Sequence, residues 1–166
     1  TGIDYLAACD GDIAGLRVAW SPDLGFAAVD PEVRAIATSA VRKLSDLGCV
    51  VEEAHPPAGD PWDIVDVLWA AGNANRHREN FAEVRDQIDP GRIPIIEYGM
   101  RLSATDVMDA LARRQEYYDT VRAFMDKYDL LVTPQLPVTA FTAGQNYPER
   151  IDGRPMTYLG WTAFTY

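Results

Sequence analysis

The stretch LRVAWSP, residues 16–22, decides the fold of this chain because it predicts a short buried strand with a defined end. Residues 16–20 are mostly apolar, and Ser21 and Pro22 close the run. Proline has no backbone N–H to donate to a sheet ladder, so the strand stops before it. The residues that follow determine how the chain returns to the sheet.

A helix and a second strand follow. Asp30 is a typical N-cap, and Pro31 suits the first helical position. Apolar residues then recur at helical spacing until Gly48, which ends the run as a left-handed cap. Residues 49–53 predict a second strand that stops before two prolines. A strand, a helix and a strand with short joints predict a right-handed parallel crossover.

Three further helical patterns occupy the middle of the chain. One covers residues 61–88, where Gly72 weakens the helix without breaking it, and a short one covers residues 95–102. A long helix begins after Ser103, which with Asp106 resembles a capping box. Its expected buried face consists of Val107, Leu111, Tyr118, Val121, Met125 and Tyr128.

The order of these elements predicts an α/β fold. A third strand follows the long helix at residues 130–132, and the sequence contains no internal repeat. We therefore expect a single α/β unit over residues 1–166, with no internal boundary. In it, helices flank a short, mostly parallel or mixed sheet.

The stretch DLLVTPQLPVTAFTAG, residues 129–144, is the candidate functional segment. Its strand meets Thr133 and Pro134, and the loop beyond is apolar and stiffened by Pro137. Ligands gather at the carboxyl ends of strands in open α/β sheets, which is where this loop would lie. Two interpretations stay open at this point, a pocket wall or a rigid connector packed on the core.

Composition narrows the classes of partner. The formal net charge is −10, acidic residues are spread along the chain, and no basic cluster occurs, which argues against nucleic acid and anionic membranes. The two cysteines do not form a Cys-x-x-Cys pair, and no apolar run approaches the roughly 18–20 residues of a membrane span. We expect a soluble cytoplasmic protein with neither nucleic acid nor a membrane as partner.

An inventory of catalytic groups finds no complete set. His55 and His77 are the only histidines and lack metal-site spacing, so we expect no metal. His77 is expected on a solvated helix face and His55 at a strand exit, both as structural residues. Phosphate-binding glycine motifs are absent as well, and we expect no cofactor.

The candidate nucleophiles lack a base. Ser39 and Lys43 lie four residues apart on the polar side of an amphipathic helix, where the lysine would stay hydrated and unsuited to act as a base. Ser21 lies at a strand end where function is common, yet no base is identifiable for it. The Asp10-Gly11-Asp12 stretch lacks the remaining ligands of a calcium loop.

Both ends of the chain indicate a piece of a larger fold. Thr1 is not an initiator methionine, and residues 156–166 are too aromatic for a free tail. We expect the chain to have been cut at Tyr166 within a larger fold. Apolar surface would then be exposed, and homo-oligomers could form through exposed edges.

The order of several short segments resembles the post-catalytic region of amidase signature enzymes. Residues 15–20, 29–33 and 44–52 carry the first part of this resemblance. The later part follows in the same order at Tyr98-Gly99, Ser103-Ala104, Asp106, Ala112-Arg113-Arg114, Phe124, residues 128–131, Thr133-Pro134, Pro137 and Ala140. Together these segments span nearly the whole chain. The chain is thus identified as an internal or C-terminal fragment of the amidase signature fold.

This resemblance implies a parent enzyme that hydrolyses carboxamide C–N bonds. The family uses a serine nucleophile, a second serine in a cis peptide and a lysine base, and none of the three can be placed in this chain. The segment that carries them would lie before Thr1, and an asparagine- and glycine-containing stretch would follow Tyr166. We expect no catalytic residue here, an inactive isolated fragment, and a small-molecule amide as the substrate of the full-length enzyme.

The resemblance also implies a set of pocket residues. The loop that approaches the active site consists of Thr133, Pro134, Gln135, Leu136 and Pro137. Trp69, Tyr98 and Trp161 are weaker candidates, for which core packing is the favoured alternative. Two other functions compete with the amidase interpretation. One is a stand-alone, non-catalytic small-molecule-binding module with a flavodoxin-like sheet, and the other is an interaction domain that uses its aromatic C-terminal edge.

Overall fold

The computed structural model describes residue 2 and residues 4–166. Thr1, which the sequence argument uses only as the start of the chain, lies outside these residues. Short 3-10 turns occur at Arg85–Gln87, Pro90–Arg92 and Gly160–Thr162. The helices are Tyr5–Ala8 (α1), Pro31–Asp46 (α2), Trp62–His77 (α3), Phe81–Val84 (α4), Ile93–Gly99 (α5) and Ala104–Met125 (α6). The strands are Arg17–Trp20 (β1), Val50–Glu53 (β2), Leu130–Val132 (β3), Arg150–Ile151 (β4) and Arg154–Pro155 (β5).

A three-stranded parallel sheet forms the centre of the fold, in the order β2-β1-β3. Val18 of the central strand pairs with Val51 on one side and Leu130 on the other. Val18 and Ala19 have no exposed surface, as is typical of a parallel strand covered on both faces. A separate antiparallel pair joins β4 and β5. The predicted α/β class, with a mostly parallel sheet and flanking helices, is confirmed.

The crossover from β1 to β2 follows the sequence prediction. The Asp30 carboxylate accepts a hydrogen bond from the Glu32 backbone N–H at 2.8 Å, and Pro31 opens α2. Gly48 ends the turn after α2 with a φ of +89°, which favours glycine. Because β1 and β2 are parallel, α2 carries the chain back across the sheet.

The predicted continuous helix over residues 61–88 is wrong. Helix α3 runs through Gly72, as expected, but ends at His77. Asn80 then takes a φ of −131° and becomes the N-cap of α4. Asparagine prefers caps and turns to helix interiors because its side chain competes for backbone hydrogen bonds. The short helix predicted over residues 95–102 also ends earlier, at Gly99.

Helices α3 and α5 approach each other closely at a glycine. A Cβ atom built on Gly99 would lie 2.0 Å from the backbone oxygen of Ala70. The absence of a side chain therefore sets the distance between the two helices. Ile96, one turn earlier on α5, is completely buried.

The capping box at the start of α6 is confirmed, but its buried face was partly wrong. Ser103 Oγ accepts from the Asp106 backbone N–H at 3.2 Å, and Asp106 Oδ2 accepts from the Ser103 backbone N–H at 2.8 Å. Leu111 and Tyr118, predicted to be buried, are 39% and 58% exposed. The buried position on this helix is Ala110, because α6 packs against α3 through a small residue.

Candidate functional site

The exits of β1 and β3 lie side by side at the carboxyl edge of the sheet. The Ser21 backbone N–H donates to the Val132 carbonyl at 3.0 Å. The Ser21 side chain has no exposed surface, and its Oγ accepts from the Leu24 backbone N–H at 2.8 Å. A hydroxyl that is buried and engaged in this way braces the turn after β1, and a substrate cannot reach it.

The turn after β1 is held by contacts from several parts of the chain. The Asp23 carboxylate accepts from the Gly25 backbone N–H at 2.9 Å and from Arg34 at 3.0 Å. Burial alone would raise the pKa of Asp23, but these two hydrogen bonds and the positive charge of Arg34 hold it below the ordinary value. Leu24 has a φ of +53°, a strained conformation for a residue with a side chain. Such support allows a strained turn to persist at the carboxyl edge.

The exit of β2 also reaches this turn, through a histidine. His55 is exposed, and a Cβ atom built on Gly25 would lie 2.6 Å from its Nε2 atom. The predicted structural role of His55 therefore has a concrete form, a ring packed against a glycine. The three strands of the sheet thus end in loops that contact one another.

The loop at residues 133–137 is fixed through its prolines. Pro134 and Pro137 are buried, and the Pro137 carbonyl accepts from the Asp30 backbone N–H at 2.9 Å. Thr133 is half-buried, whereas Gln135 and Leu136 are exposed, Leu136 by 38%. The loop is therefore anchored to the N-terminus of α2 and directs two side chains outward. Both interpretations of this segment hold in part, since its prolines pack on the core and its tip is free to face a ligand.

Trp161 is the aromatic candidate that lies nearest to the candidate segment in space. Its ring makes an edge contact with Phe141, with centroids 5.5 Å apart. It also lines a pocket of about 170 Å³ together with Phe26 and Arg154. Because Phe141 belongs to residues 129–144, this contact links the segment to the C-terminal part of the chain.

Trp69 and Tyr98 lie elsewhere. Trp69 is 53% exposed and lines a second pocket, of about 100 Å³, together with Trp62 and Tyr166. Tyr98 is half-buried on α5 and lines neither this pocket nor that of Trp161. The structure therefore does not bring all the predicted pocket residues into one cavity.

The C-terminal segment, residues 156–166, packs against the rest of the chain. The Tyr158 hydroxyl donates to Asp89 at 3.1 Å, and its ring lies over Gly91. The Tyr166 ring makes an edge contact with Trp62, with centroids 5.4 Å apart. The sequence argument did not find this contact, because Trp62 and Tyr166 lie far apart in the chain. The spacing of Trp62 and Trp69 on one helix face was the available signal.

Two other expectations about single residues have different outcomes. Ser39 and Lys43 are exposed on α2, as predicted. His77, however, was placed wrongly on a solvated face, because both of its ring nitrogens are buried. Neither nitrogen has a hydrogen-bond partner among the residues that the structure describes.

Metal and membrane sites were also sought among the described residues. Within residue 2 and residues 4–166, no group of three or more histidine, cysteine, aspartate or glutamate side chains is placed to hold a metal ion. No helix in the same part of the chain is long and apolar enough to cross a bilayer.

Known proteins similar to this chain are amidases and related hydrolases. The Amidase family model matches residues 5–166. An acylamidase from Rhodococcus erythropolis is 37% identical over 166 residues, which cover 98% of this chain and 35% of that protein. This chain therefore spans roughly a third of the length of that relative.

Solved structures of this group share the fold. A bacterial aryl acylamidase of the amidase signature family gives a TM-score of 0.79 at 22% identity, covering 99% of this chain and 37% of its own. A 6-aminohexanoate cyclic dimer hydrolase complexed with substrate gives a TM-score of 0.78 at 21% identity, covering 99% of this chain and 38% of its own.

A parallel sheet with flanking helices and interlocked loops at its carboxyl edge defines an α/β protein of the amidase signature class. The family model matches almost the whole chain, which confirms the resemblance found in the ordered segments. The chain belongs to the amidase family.

Proposed function

We propose that this chain is one continuous part of a cytoplasmic amidase that hydrolyses carboxamide C–N bonds. The serine nucleophile, the second serine in a cis peptide and the lysine base would come from residues outside 1–166. The family match supports this reaction class. In the residues described, the serine at the sheet edge, Ser21, is buried and Ser39 lies on the outer surface of α2.

In this proposal the chain supplies a wall of the substrate pocket. Thr133 to Pro137 form the part of the wall nearest the scissile amide, and Trp69, Tyr98 and Trp161 lie further from it. The observation that carries the proposal is the fixed loop at the carboxyl edge, anchored through Pro137 to Asp30, with Gln135 and Leu136 exposed at its tip. Such a loop positions an apolar side chain without ordering cost on binding.

The test is a Leu136→Ala variant of the full-length gene product, assayed on amides of increasing acyl or aryl size. We expect kcat/KM to fall about tenfold for the larger substrates and little for the smallest, because about three buried carbon atoms are lost from the wall. Leu47→Ala is the matched control, since Leu47 is 58% exposed just after α2, at the opposite end of that helix from the anchored loop. Equal kcat/KM ratios for both variants across the series would refute the proposed wall.

The same proposal predicts that the isolated 166-residue chain does not hydrolyse amides. The measurement is turnover of simple aryl and alkyl amides by the purified chain. Turnover that persists after contaminating amidases are removed would show that the chain contains its own nucleophile.

A further inference from the structure

The pocket of Trp69 lies between α3 and the C-terminal segment and contains an unusual set of groups. Its volume is about 100 Å³. Three aromatic rings line it, those of Trp62, Trp69 and Tyr166, together with the carboxylate of Asp66. Pockets that take drug-sized ligands usually measure about 300–1,000 Å³. This pocket therefore suits a small headgroup.

The helix places three of these side chains on one face. Trp62, Asp66 and Trp69 follow one another at intervals of four and three residues, the spacing at which helical side chains are neighbours. Tyr166 closes the pocket from the C-terminal segment, and its ring is inclined at 61° to that of Trp62. Two walls of different orientation thus meet beside one carboxylate.

The charge of Asp66 is not balanced by a basic side chain. None of the ion pairs in the described part of the chain includes Asp66. Partial burial, and then the neighbouring carboxylate of Asp63, raises the pKa of Asp66. Burial, Asp60 and Tyr117 also raise the pKa of Tyr166, so that its phenol stays neutral at physiological pH. A cation in the pocket would relieve the unfavourable burial of the carboxylate.

We propose that this pocket binds a small organic cation, an alkylammonium or trimethylammonium group. Aromatic faces attract such cations through the ring quadrupole, and they bury methyl groups that a hydrated metal ion does not have. Asp66 supplies the opposite charge, and the net charge of −10 favours cations over anions near the molecule. This site is independent of the proposed amide hydrolysis.

The experiment titrates the full-length gene product with choline chloride and follows binding by calorimetry. The comparison ligand is 3,3-dimethylbutan-1-ol, which has the same shape as choline but no charge. We expect choline to bind about tenfold more tightly than the neutral alcohol. Equal affinity of the two ligands, or no binding of choline, would overturn the proposal.

Variants then locate the site. Asp66→Asn and Trp69→Leu should each weaken choline binding about tenfold, whereas Trp69→Phe should retain most of it, because an aromatic face remains. Asp126→Asn is the matched control for charge, since Asp126 lies after α6 and does not line the pocket. Circular dichroism of each variant checks that it is folded. A control variant that weakens binding as much as Asp66→Asn would show that choline responds to overall charge and would also overturn the proposal.

Discussion

Two helical glycines show how a single hydrogen atom sets the packing of this protein. Gly72 lies inside α3, and a Cβ atom there would meet no other atom within 4 Å. Gly99 ends α5, where the same Cβ would collide with the Ala70 backbone oxygen. Backbone cannot move aside as a flexible side chain can, so the two positions should respond to alanine in opposite directions.

We expect Gly72→Ala to raise the free energy of unfolding by up to about 1 kcal/mol, because alanine loses less backbone entropy in a helix. Gly99→Ala should lower it by about 1–3 kcal/mol, the usual cost of overpacking. Urea unfolding of the two variants measures both changes. A Gly99→Ala protein as stable as the wild type would mean that α3 and α5 can separate without cost.

His77 shows what sequence patterns miss at this scale. Its charged neighbours Arg76, Arg78 and Glu79 predicted a solvated face. The ring nitrogens are nevertheless buried, because residues beyond the end of α3 turn back at Asn80. That turn could not be placed from helical periodicity, which continues through residue 88. The burial of a side chain near a helix end therefore depended on a boundary that the sequence did not reveal.

The helix caps are the elements that the sequence predicted best, since capping is a local property. Asp30 and Ser103 both cap the helices that follow them, as expected. Hydrogen bonds from the Ser103 side chain and backbone hold the pKa of Asp106 below its ordinary value of 3.8. Buried faces were harder to predict, because on α6 the contact with α3 is made at Ala110. A small residue contributes little to a hydrophobic pattern.

The capping box predicts a pH dependence. Because the folded pKa of Asp106 is lowered, its contribution to stability is present above pH 3.8 and is lost as the pH falls through the folded value. Asp106→Asn should therefore be less stable than the wild type at pH 7, and the difference should shrink on acidification. Asp109→Asn, on the same helix outside the box, is the control. Unfolding curves between pH 7 and pH 2 measure the effect, and a difference that does not change with pH would contradict it.

At the scale of the whole molecule, long-range contacts attach the C-terminal segment. The Tyr158 hydroxyl reaches Asp89, and Phe141 contacts Trp161. The sequence predicted an ordered aromatic segment but not its position, since such contacts join residues far apart in the chain. The loop at residues 133–137 was easier to predict, because a strand end and two prolines define it locally. Association through the edges of the sheet stays a prediction.

We expect Tyr158→Phe to loosen the C-terminal segment by removing the hydrogen bond to Asp89, at a cost of about 0.5–1.5 kcal/mol. Amide hydrogen exchange of residues 156–166 should become faster, with little change in the central sheet. Tyr118→Phe is the control, because Tyr118 is 58% exposed on α6. Exchange at the same rate in both variants would show that the hydroxyl does not hold the segment.

The hydrogen bond between Asp30 and Pro137 has a practical consequence for protein engineering. The residue that caps α2 also fixes the loop at the sheet edge, so inserting or deleting a residue in that loop would disturb the start of the helix. Grafting loops of other lengths from related enzymes should therefore fail more often than replacing side chains. Libraries that vary only positions 135 and 136 would change the surface offered to a substrate while the backbone keeps its place.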